Sequence, residues 1–257
     1  RVALGPCGPL RAQRQFFMEI RDLALDAGVL LHTHQAETKA EEEYCLSTFG
    51  LRPVEYMDDI GWLQPNVWFA HLVHVTENDV RRLAASGAGM SYCPSSNMIL
   101  GSGISPIPTL LRHGVPVSFG VDGAASNNTS NMIREVRQGM LLQRVRFGAD
   151  ALSARDCLRA ATLGGAQVLH RETELGSIEP GKAADLIAFD VSGVDFAGAQ
   201  ADPVASLVHC AANRVDLSMV NGNILVRDAE LVDKSIMQAV PKLNRLTRKL
   251  MRDGSSS

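Results

Sequence analysis

Short apolar runs alternate with stretches of helical spacing along the first part of this 257-residue chain. Each run suits a buried strand, and each stretch between runs suits a helix that crosses back over a sheet. One such strand–helix unit needs about 30 residues, so the first part of the chain accommodates several units in sequence. The pattern predicts a parallel sheet with right-handed crossovers. Its strands are expected at residues 2–5, 28–33, 66–70, 88–92 and 116–121, and its helices at 10–27, 41–60 with a break at 50–53, 76–86, 108–113, 130–147 and 153–170.

The pattern changes after residue 172. A turn at residues 176–181 precedes an apolar run at 184–190, and Asn221-Gly222 lies between two further apolar runs, a strong signal for a β-hairpin. We therefore predict a strand–helix domain over 1–172 and the strands of a small β module over 173–232. Residues 233–257 are expected to form an amphipathic helix and a tail, with the helix docked on the body through its apolar face. Residues 192–203 are Gly- and Ala-rich and are expected to form a loop.

Composition excludes several classes of function. A formal net charge of -3 gives no basic footprint for nucleic acid, and the chain has no apolar run of the roughly 18 residues that a membrane helix needs. We therefore expect neither a nucleic-acid nor a membrane partner. The five cysteines show no Cys-x-x-Cys spacing. They are expected to be reduced and mostly packed inside a cytoplasmic protein.

Four residues that bind metals or carry protons follow the predicted strands. His34 and Glu37 come after the second apolar run, His71 after the third and Asp122 after the fifth. The carboxyl ends of parallel strands lie at one edge of a sheet or one mouth of a barrel, so these side chains are expected to converge. Imidazole and carboxylate groups together bind divalent metals and move protons beside them. The pattern points to metal-assisted hydrolysis.

Each of these residues also has a plainer interpretation. His34 and Glu37 could be a loop histidine and a solvated carboxylate, and His71 could be a packed core histidine. His32 shares a strand face with His34 and is expected to pack beside the site rather than to bind metal. Asp122 is harder to explain without a partner, because a carboxylate at the end of a buried strand is costly unless it is paired or bound to metal. His74 is a weaker candidate that could only seat a loop.

Small polar residues follow the fourth and fifth runs. Their side chains are suited to hydrogen bonding a polar ring, and the same residue types are also typical of turns. Residues 92–97 are expected to form a loop. The candidate substrate-binding residues are Ser95, Ser96, Asn97, Ser126 and Asn127.

Five segments in this order resemble the amidohydrolase superfamily: residues 32–38 (HTHQAET), 70–74 (AHLVH), 93–98 (CPSSNM), 120–127 (GVDGAASN) and 176–186 (GSIEPGKAADL). Within it, the chain resembles the aminohydrolases and chlorohydrolases that act on nitrogen heterocycles. The 8-oxoguanine deaminases are the members it resembles most, through residues 52–56, 61–63, 67–71, 120–123, 161–166 and 196–199.

The resemblance implies an α/β fold that comprises about strands four to eight of a (β/α)8 TIM barrel, with part of a small β-sandwich module. It implies one divalent metal, zinc or alternatively iron. His34 and Asp122 would be metal ligands, and Glu37 would carry a proton to the ring nitrogen. His71 would orient water or substrate, and Asp122 would also accept a proton from water.

The family takes two more ligands from an H-x-H motif at the end of its first strand. The H-x-H in this chain, His32 and His34, belongs instead to the fifth strand of the family's barrel. We therefore expect the chain to lack the first strands and to be inactive by itself.

The expected activity of the full-length protein is hydrolytic deamination of an amino-substituted nitrogen heterocycle, 8-oxoguanine or a related purine or pterin. The alternatives are an s-triazine chlorohydrolase or aminohydrolase, and a non-catalytic fragment. The expected partner is a small heterocyclic substrate, and the full-length protein is expected to be a homo-oligomer.

Overall fold

The structure is a computed structural model that describes residues 2–210 and 212–254. The chain divides into two compact units. The first comprises residues up to 182 together with 191–213, and the second comprises 183–190 and the chain from 214 onward. Arg1, with which the predicted barrel domain begins, and residues 255–257 of the predicted tail lie outside the described residues.

The first unit contains a five-stranded sheet whose neighbouring strands are all parallel and follow the order of the chain. All five predicted strands are confirmed. In register, Leu31 lies opposite Val67 and His34 lies opposite Ala70, so the ends of the second and third strands are level. The strands are β1 (Ala3–Leu4), β2 (Leu30–Gln35), β3 (Val67–His71), β4 (Gly89–Tyr92) and β5 (Val117–Phe119).

Helices connect these strands, as the alternation predicts. Local chemistry sets several of their ends: Thr38, Thr76 and Ser153 accept backbone amides at helix starts. The helices are α1 (Arg14–Ala27), α2 (Lys39–Phe49), α3 (Pro53–Asp59), α4 (Glu77–Ser86), α5 (Pro94–Ile99), α6 (Ile107–Arg112), α7 (Met132–Phe147), α8 (Ala154–Arg159), α9 (Gly165–Val168) and α10 (Pro203–His209). A π-helical turn, Ala160–Gly164, joins α8 to α9.

Large apolar side chains from the strands and from the helices around them form one hydrophobic core. Leu31, Phe69 and Met90 from the strands are fully buried with Phe17 and Trp62 from the surrounding helices and loops. Burial of a side chain of this size stabilises the fold by about 1.5–3 kcal/mol each. The core therefore holds the strand ends in place.

Two predicted loops contain helices. Residues 92–97 are not a loop throughout, because Pro94 begins α5; proline suits the first turn of a helix, where its missing N–H is not needed. In 192–203, Val194–Phe196 forms a 3-10 turn, and α10 begins at Pro203 with Asp202 as its cap. Both helices are too short to show helical periodicity.

The second unit contains a four-stranded antiparallel sheet, which includes the predicted hairpin at Asn221-Gly222. Its strands are β6 (Leu186–Ala188), β7 (Leu217–Val220), β8 (Asn223–Arg227) and β9 (Glu230–Leu231), and the unit ends in α11 (Ala239–Gly254). The predicted docking of this last helix is not seen: its apolar side chains, such as Leu243 at 64% and Leu250 at 71% exposure, are open to solvent.

Most of the cysteines are packed inside, as expected. Cys45, Cys93 and Cys157 are buried, and all five cysteines are free thiols. No helix in the described part of the chain is long and apolar enough to span a membrane.

Candidate metal centre

The ends of three parallel strands position the candidate residues. His34 is the fifth residue of β2, His71 is the last residue of β3, and Asp122 lies shortly after β5. His71 and Asp122 have φ angles of 75° and 59°, in the left-handed region that non-glycine residues seldom occupy. Such conformations cost on the order of 1–3 kcal/mol and cluster at functional sites. The backbone thus adopts an unusual conformation at both His71 and Asp122.

The structure brings His34, His71 and Asp122 together. One ligand atom from each lies within 4.8 Å of the other two. The His34 Nε2–Asp122 Oδ1 distance is 3.7 Å and the His71 Nε2–Asp122 Oδ2 distance is 3.8 Å. These gaps are too long for direct hydrogen bonds but suit atoms that share an ion about 2 Å from each.

His71 provides an independent test of whether the residues fit a metal. Its ring is fully buried, and Nδ1 lies 2.8 Å from the side-chain oxygen of Asn97, to which it donates. In the neutral ring Nε2 is then the lone-pair atom, and it has no hydrogen-bond partner. A buried polar atom without a partner costs about 1–3 kcal/mol. A divalent ion or its water would satisfy it, so the residues fit the metal that the sequence predicts.

Asp122 is held by three donors. Ser96 Oγ donates to Oδ2 at 2.5 Å, Ser126 Oγ donates to Oδ2 at 3.1 Å, and the Gly123 amide donates to Oδ1 at 2.7 Å. Burial alone would raise the pKa of Asp122, but these hydrogen bonds and the nearby His71 lower it below its usual value. The carboxylate therefore stays ionised, as a metal ligand must.

Glu37 faces the same space from the turn after β2. Its Oε2 lies 3.8 Å from His71 Nε2, and Ser102 Oγ donates to its Oε1 at 3.2 Å. His74, the weaker candidate, donates from Nε2 to the carbonyl oxygen of Ser102 at 3.0 Å and so seats the loop that contacts Glu37. The sequence places residues 101–103 at the same mouth but does not predict the contact of Ser102 with Glu37, because these two residues are 65 positions apart in the chain.

The five candidate substrate-binding residues are all buried, and three of them, Ser96, Asn97 and Ser126, contact Asp122 or His71. Besides Ser96, Asn97 and Ser126, already described, Ser95 and Asn127 donate to Glu135. Ser95 Oγ lies 2.5 Å and Asn127 Nδ2 lies 2.9 Å from its Oε1. All five side chains hydrogen-bond within the protein, and their contact with a substrate stays a prediction.

The sequence patterns do not point to two buried carboxylates that bind segments next to the candidate metal residues. Glu135, on α7, binds α5 and the loop after β5, and it left no signal because its partners are distant in sequence. Glu41 accepts the backbone amides of Ala36 and Glu37. It could have been found, since Thr38-x-x-Glu41 has the spacing of a helix capping box.

His32 lies beside the centre on the face that it shares with His34. Its ring stacks on Trp68 with centroids 4.8 Å apart, and Nδ1 lies 3.3 Å from the Trp68 carbonyl oxygen. Burial lowers the pKa of His32 to about 4, although the hydrogen bond to Trp68 opposes the shift. The packed role expected for His32 therefore agrees with a ring that is neutral at pH 7.

This pKa predicts acid sensitivity. The His32 pKa is lowered from 6.5 to about 4, so its contribution to stability is present above pH 6.5 and is lost as pH falls towards 4. As the pH falls from about 7 to about 4, the free energy of unfolding of the unmodified protein should decrease by about 3 kcal/mol more than that of His32→Gln. Urea unfolding of both proteins, measured from about pH 7 to about pH 4, checks this.

Glu41 titrates with the opposite sign. Burial raises its pKa to about 7, so its contribution is present at low pH and is lost as pH rises through 7. Because both proteins contain Glu41, the difference between their curves isolates His32. Parallel curves would contradict the prediction.

An open cavity borders the centre. It is lined by residues 7–11, which follow β1, and by His34, Glu37, Thr38 and Glu41. The cavity gives a small molecule access to His34 and Glu37.

Known proteins match both the sequence and the fold. Residues 1–225 match the amidohydrolase family. The chain is 45% identical over 222 residues to an 8-oxoguanine deaminase from Pseudomonas aeruginosa, a match that covers 86% of this chain and 49% of that protein. The chain spans about half the length of the curated relatives it matches.

Two solved structures resemble the fold closely. An adenosine deaminase from Xanthomonas campestris with bound zinc superposes with a TM-score of 0.93 at 31% identity, covering 97% of this chain and 57% of that one. An atrazine chlorohydrolase from Arthrobacter aurescens complexed with zinc has a TM-score of 0.90 at 32% identity, covering 96% of this chain and 55% of that one. This chain belongs to the amidohydrolase family.

Proposed function

We propose that the full-length protein is a metal-dependent hydrolase that deaminates an amino-substituted nitrogen heterocycle. One observation carries the proposal: His34, His71 and Asp122 converge with their ligand atoms within 4.8 Å, and Glu37 lies beside them. His34 and Asp122 would hold a divalent ion that supplies activation of water, and the Glu37 carboxylate beside them can transfer protons, which together support hydrolysis.

The residues take separate roles in this proposal. His34 and Asp122 would hold a divalent ion, zinc or alternatively iron; the zinc in both structural neighbours supports the first choice. The ion would supply Lewis-acid activation of water at neutral pH. Asp122 accepts the proton that the water releases and passes it to the amino group, which leaves as ammonia. Glu37 gives a proton to the ring nitrogen and takes one back from the new hydroxyl as the carbonyl forms. His71 orients water or substrate through Nε2.

We propose 8-oxoguanine or a related purine or pterin as the substrate. The similarity to the 8-oxoguanine deaminase of Pseudomonas aeruginosa supports this choice. A second candidate is hydrolysis of an s-triazine, with chloride or an amine as leaving group, which the likeness to the atrazine chlorohydrolase favours. Ser95, Ser96, Asn97, Ser126 and Asn127 are proposed to line the substrate's polar edge, directly or by fixing the side chains that do.

We further propose that the full-length protein is a cytoplasmic homo-oligomer. Its reduced cysteines support this compartment. We also propose that residues 1–172 form its barrel domain in part, that 173–232 belong to its small β module, and that 233–257 form a C-terminal helix and tail.

Metal removal and a substrate panel test the function. We expect the protein at its full natural length to release ammonia from 8-oxoguanine faster than from guanine or an aminotriazine. A chelator should abolish the release, and zinc should restore it. Chloride release from a chlorotriazine, without ammonia from the purines, would favour the second candidate. No release from any of these compounds would overturn the proposal.

A further inference from the structure

Glu41 is a buried carboxylate next to the metal centre, and none of the roles above uses it. It is the third residue of α2 and is only 4% exposed. A buried carboxylate must be satisfied by hydrogen bonds, and those made by Glu41 show what it is for.

Both oxygens of Glu41 bind the turn that carries Glu37. Oε1 accepts the Ala36 amide at 2.7 Å, and Oε2 accepts the Glu37 amide at 2.9 Å. Consecutive backbone amides that converge on one anion form a nest, which requires a residue of left-handed conformation. Ala36 has that conformation, with a φ of 51°. The carboxylate thus stabilises a backbone shape that alanine seldom adopts.

The other side of the same turn is also held. The Ala36 carbonyl oxygen accepts the amides of Val73 and His74, each at 2.9 Å, and these residues follow His71 at the end of β3. The peptide groups that carry Glu37 are therefore clamped between α2 and the strand end that supplies His71. Loss of the Glu41 carboxylate would release one side of the clamp.

We infer that Glu41 is a positioning residue, which holds the Ala36–Glu37 turn so that the Glu37 carboxylate stays beside His71 Nε2. This inference rests on the proposed function for its effect on rate. The protection of the Ala36 and Glu37 amides by Glu41 is independent of the proposed function.

The test compares isosteric variants in the protein at its full natural length. Glu41→Gln replaces one acceptor oxygen with an NH2 group that would face a backbone N–H. We expect kcat to fall about 10²-fold, as misplacement of a reacting group by about 1 Å does. KM and metal content are expected to stay near those of the unmodified protein, because both oxygens of Glu41 are bound to backbone amides although the residue lies in the cavity wall.

Two controls match this change. Glu43→Gln makes the same substitution at an exposed position on the same helix. Asp156→Asn neutralises a carboxylate that accepts backbone and side-chain donors of Ser153 at the start of α8. Both controls are expected to keep kcat. A kcat loss in Asp156→Asn as large as that in Glu41→Gln would mean that loss of a capping carboxylate, not positioning, lowers the rate, and would overturn the inference.

A double-mutant cycle shows whether Glu41 acts through Glu37. If it does, Glu41→Gln adds little further loss to a Glu37→Gln background. Fully additive losses would overturn the inference. Should Glu41→Gln fail to fold by thermal melting, Glu41→Asp carries the test, with a reduced kcat expected and an unchanged kcat as the contrary result.

Hydrogen exchange supplies a readout that does not need activity. The amides of Ala36 and Glu37 are expected to exchange about tenfold faster in Glu41→Gln, as loss of a buried hydrogen-bond acceptor implies. The same amides should be unchanged in Glu43→Gln, and equal exchange in both variants would overturn the inference. If the unmodified protein turns over no ring substrate, the proposed function fails while the exchange result still decides the role of Glu41.

Discussion

Glu37→Gln is expected to lower the turnover of the full-length protein by about 10²–10⁴-fold, the contribution of a positioned general acid or base. Gln has nearly the same shape and can still accept the hydrogen bond that Ser102 Oγ donates to Oε1. It cannot deliver a proton to the ring nitrogen. Because Glu37 is proposed as a proton carrier and not as a ligand, the metal content of the variant should equal that of the unmodified protein.

The measurement pairs ammonia release with metal analysis of the same sample. Glu43→Gln serves as the matched control, since it removes an exposed carboxylate from the helix that follows the site. A Glu37→Gln variant that turns over substrate near the unmodified rate would show the assigned mechanism to be wrong. Loss of metal together with activity would instead make Glu37 a ligand.

Asp122→Asn is expected to damage both metal binding and turnover. The carboxylate lies 3.7 Å from Nε2 of His34, the other proposed ligand, and 3.8 Å from Nε2 of His71, which is proposed to orient water or substrate. Outer-sphere partners alone change metal affinity by about 10–100-fold, so loss of a proposed ligand should exceed that range. Asn also cannot accept the proton that water releases, which should remove about 10²–10⁴-fold of rate even when metal is in excess.

Titration with zinc separates these two effects. We expect excess zinc to restore occupancy of the variant but not its turnover, and Asp150→Asn, at an exposed position, should behave like the unmodified protein. Full recovery of turnover at saturating zinc would limit Asp122 to metal binding. Unchanged zinc affinity would remove it from the ligand set.

The parallel sheet and the places where its strands end were predictable from local pattern. Apolar runs of strand length signal burial without reference to any other part of the chain, and a parallel strand ends at the mouth of its sheet. For that reason His34, Glu37, His71 and Asp122 could be selected before any geometry was known. The helix at 94–99 was not predictable in the same way, because it is too short to show helical periodicity.

The contacts that give these residues their chemical state could not be predicted locally. Asn97 accepts a hydrogen bond from His71 Nδ1, and the two residues are 26 positions apart in the chain. Ser95 donates to Glu135, which is 40 positions away. Such pairs leave no periodic trace, since they depend on how helices pack at the mouth of the sheet. The exposed apolar face of α11 makes the same point, because amphipathic spacing shows that a face is apolar but not what covers it. Residue type and strand position thus follow from local sequence, whereas tautomer, ionisation and the turn that holds Glu37 follow from long-range packing.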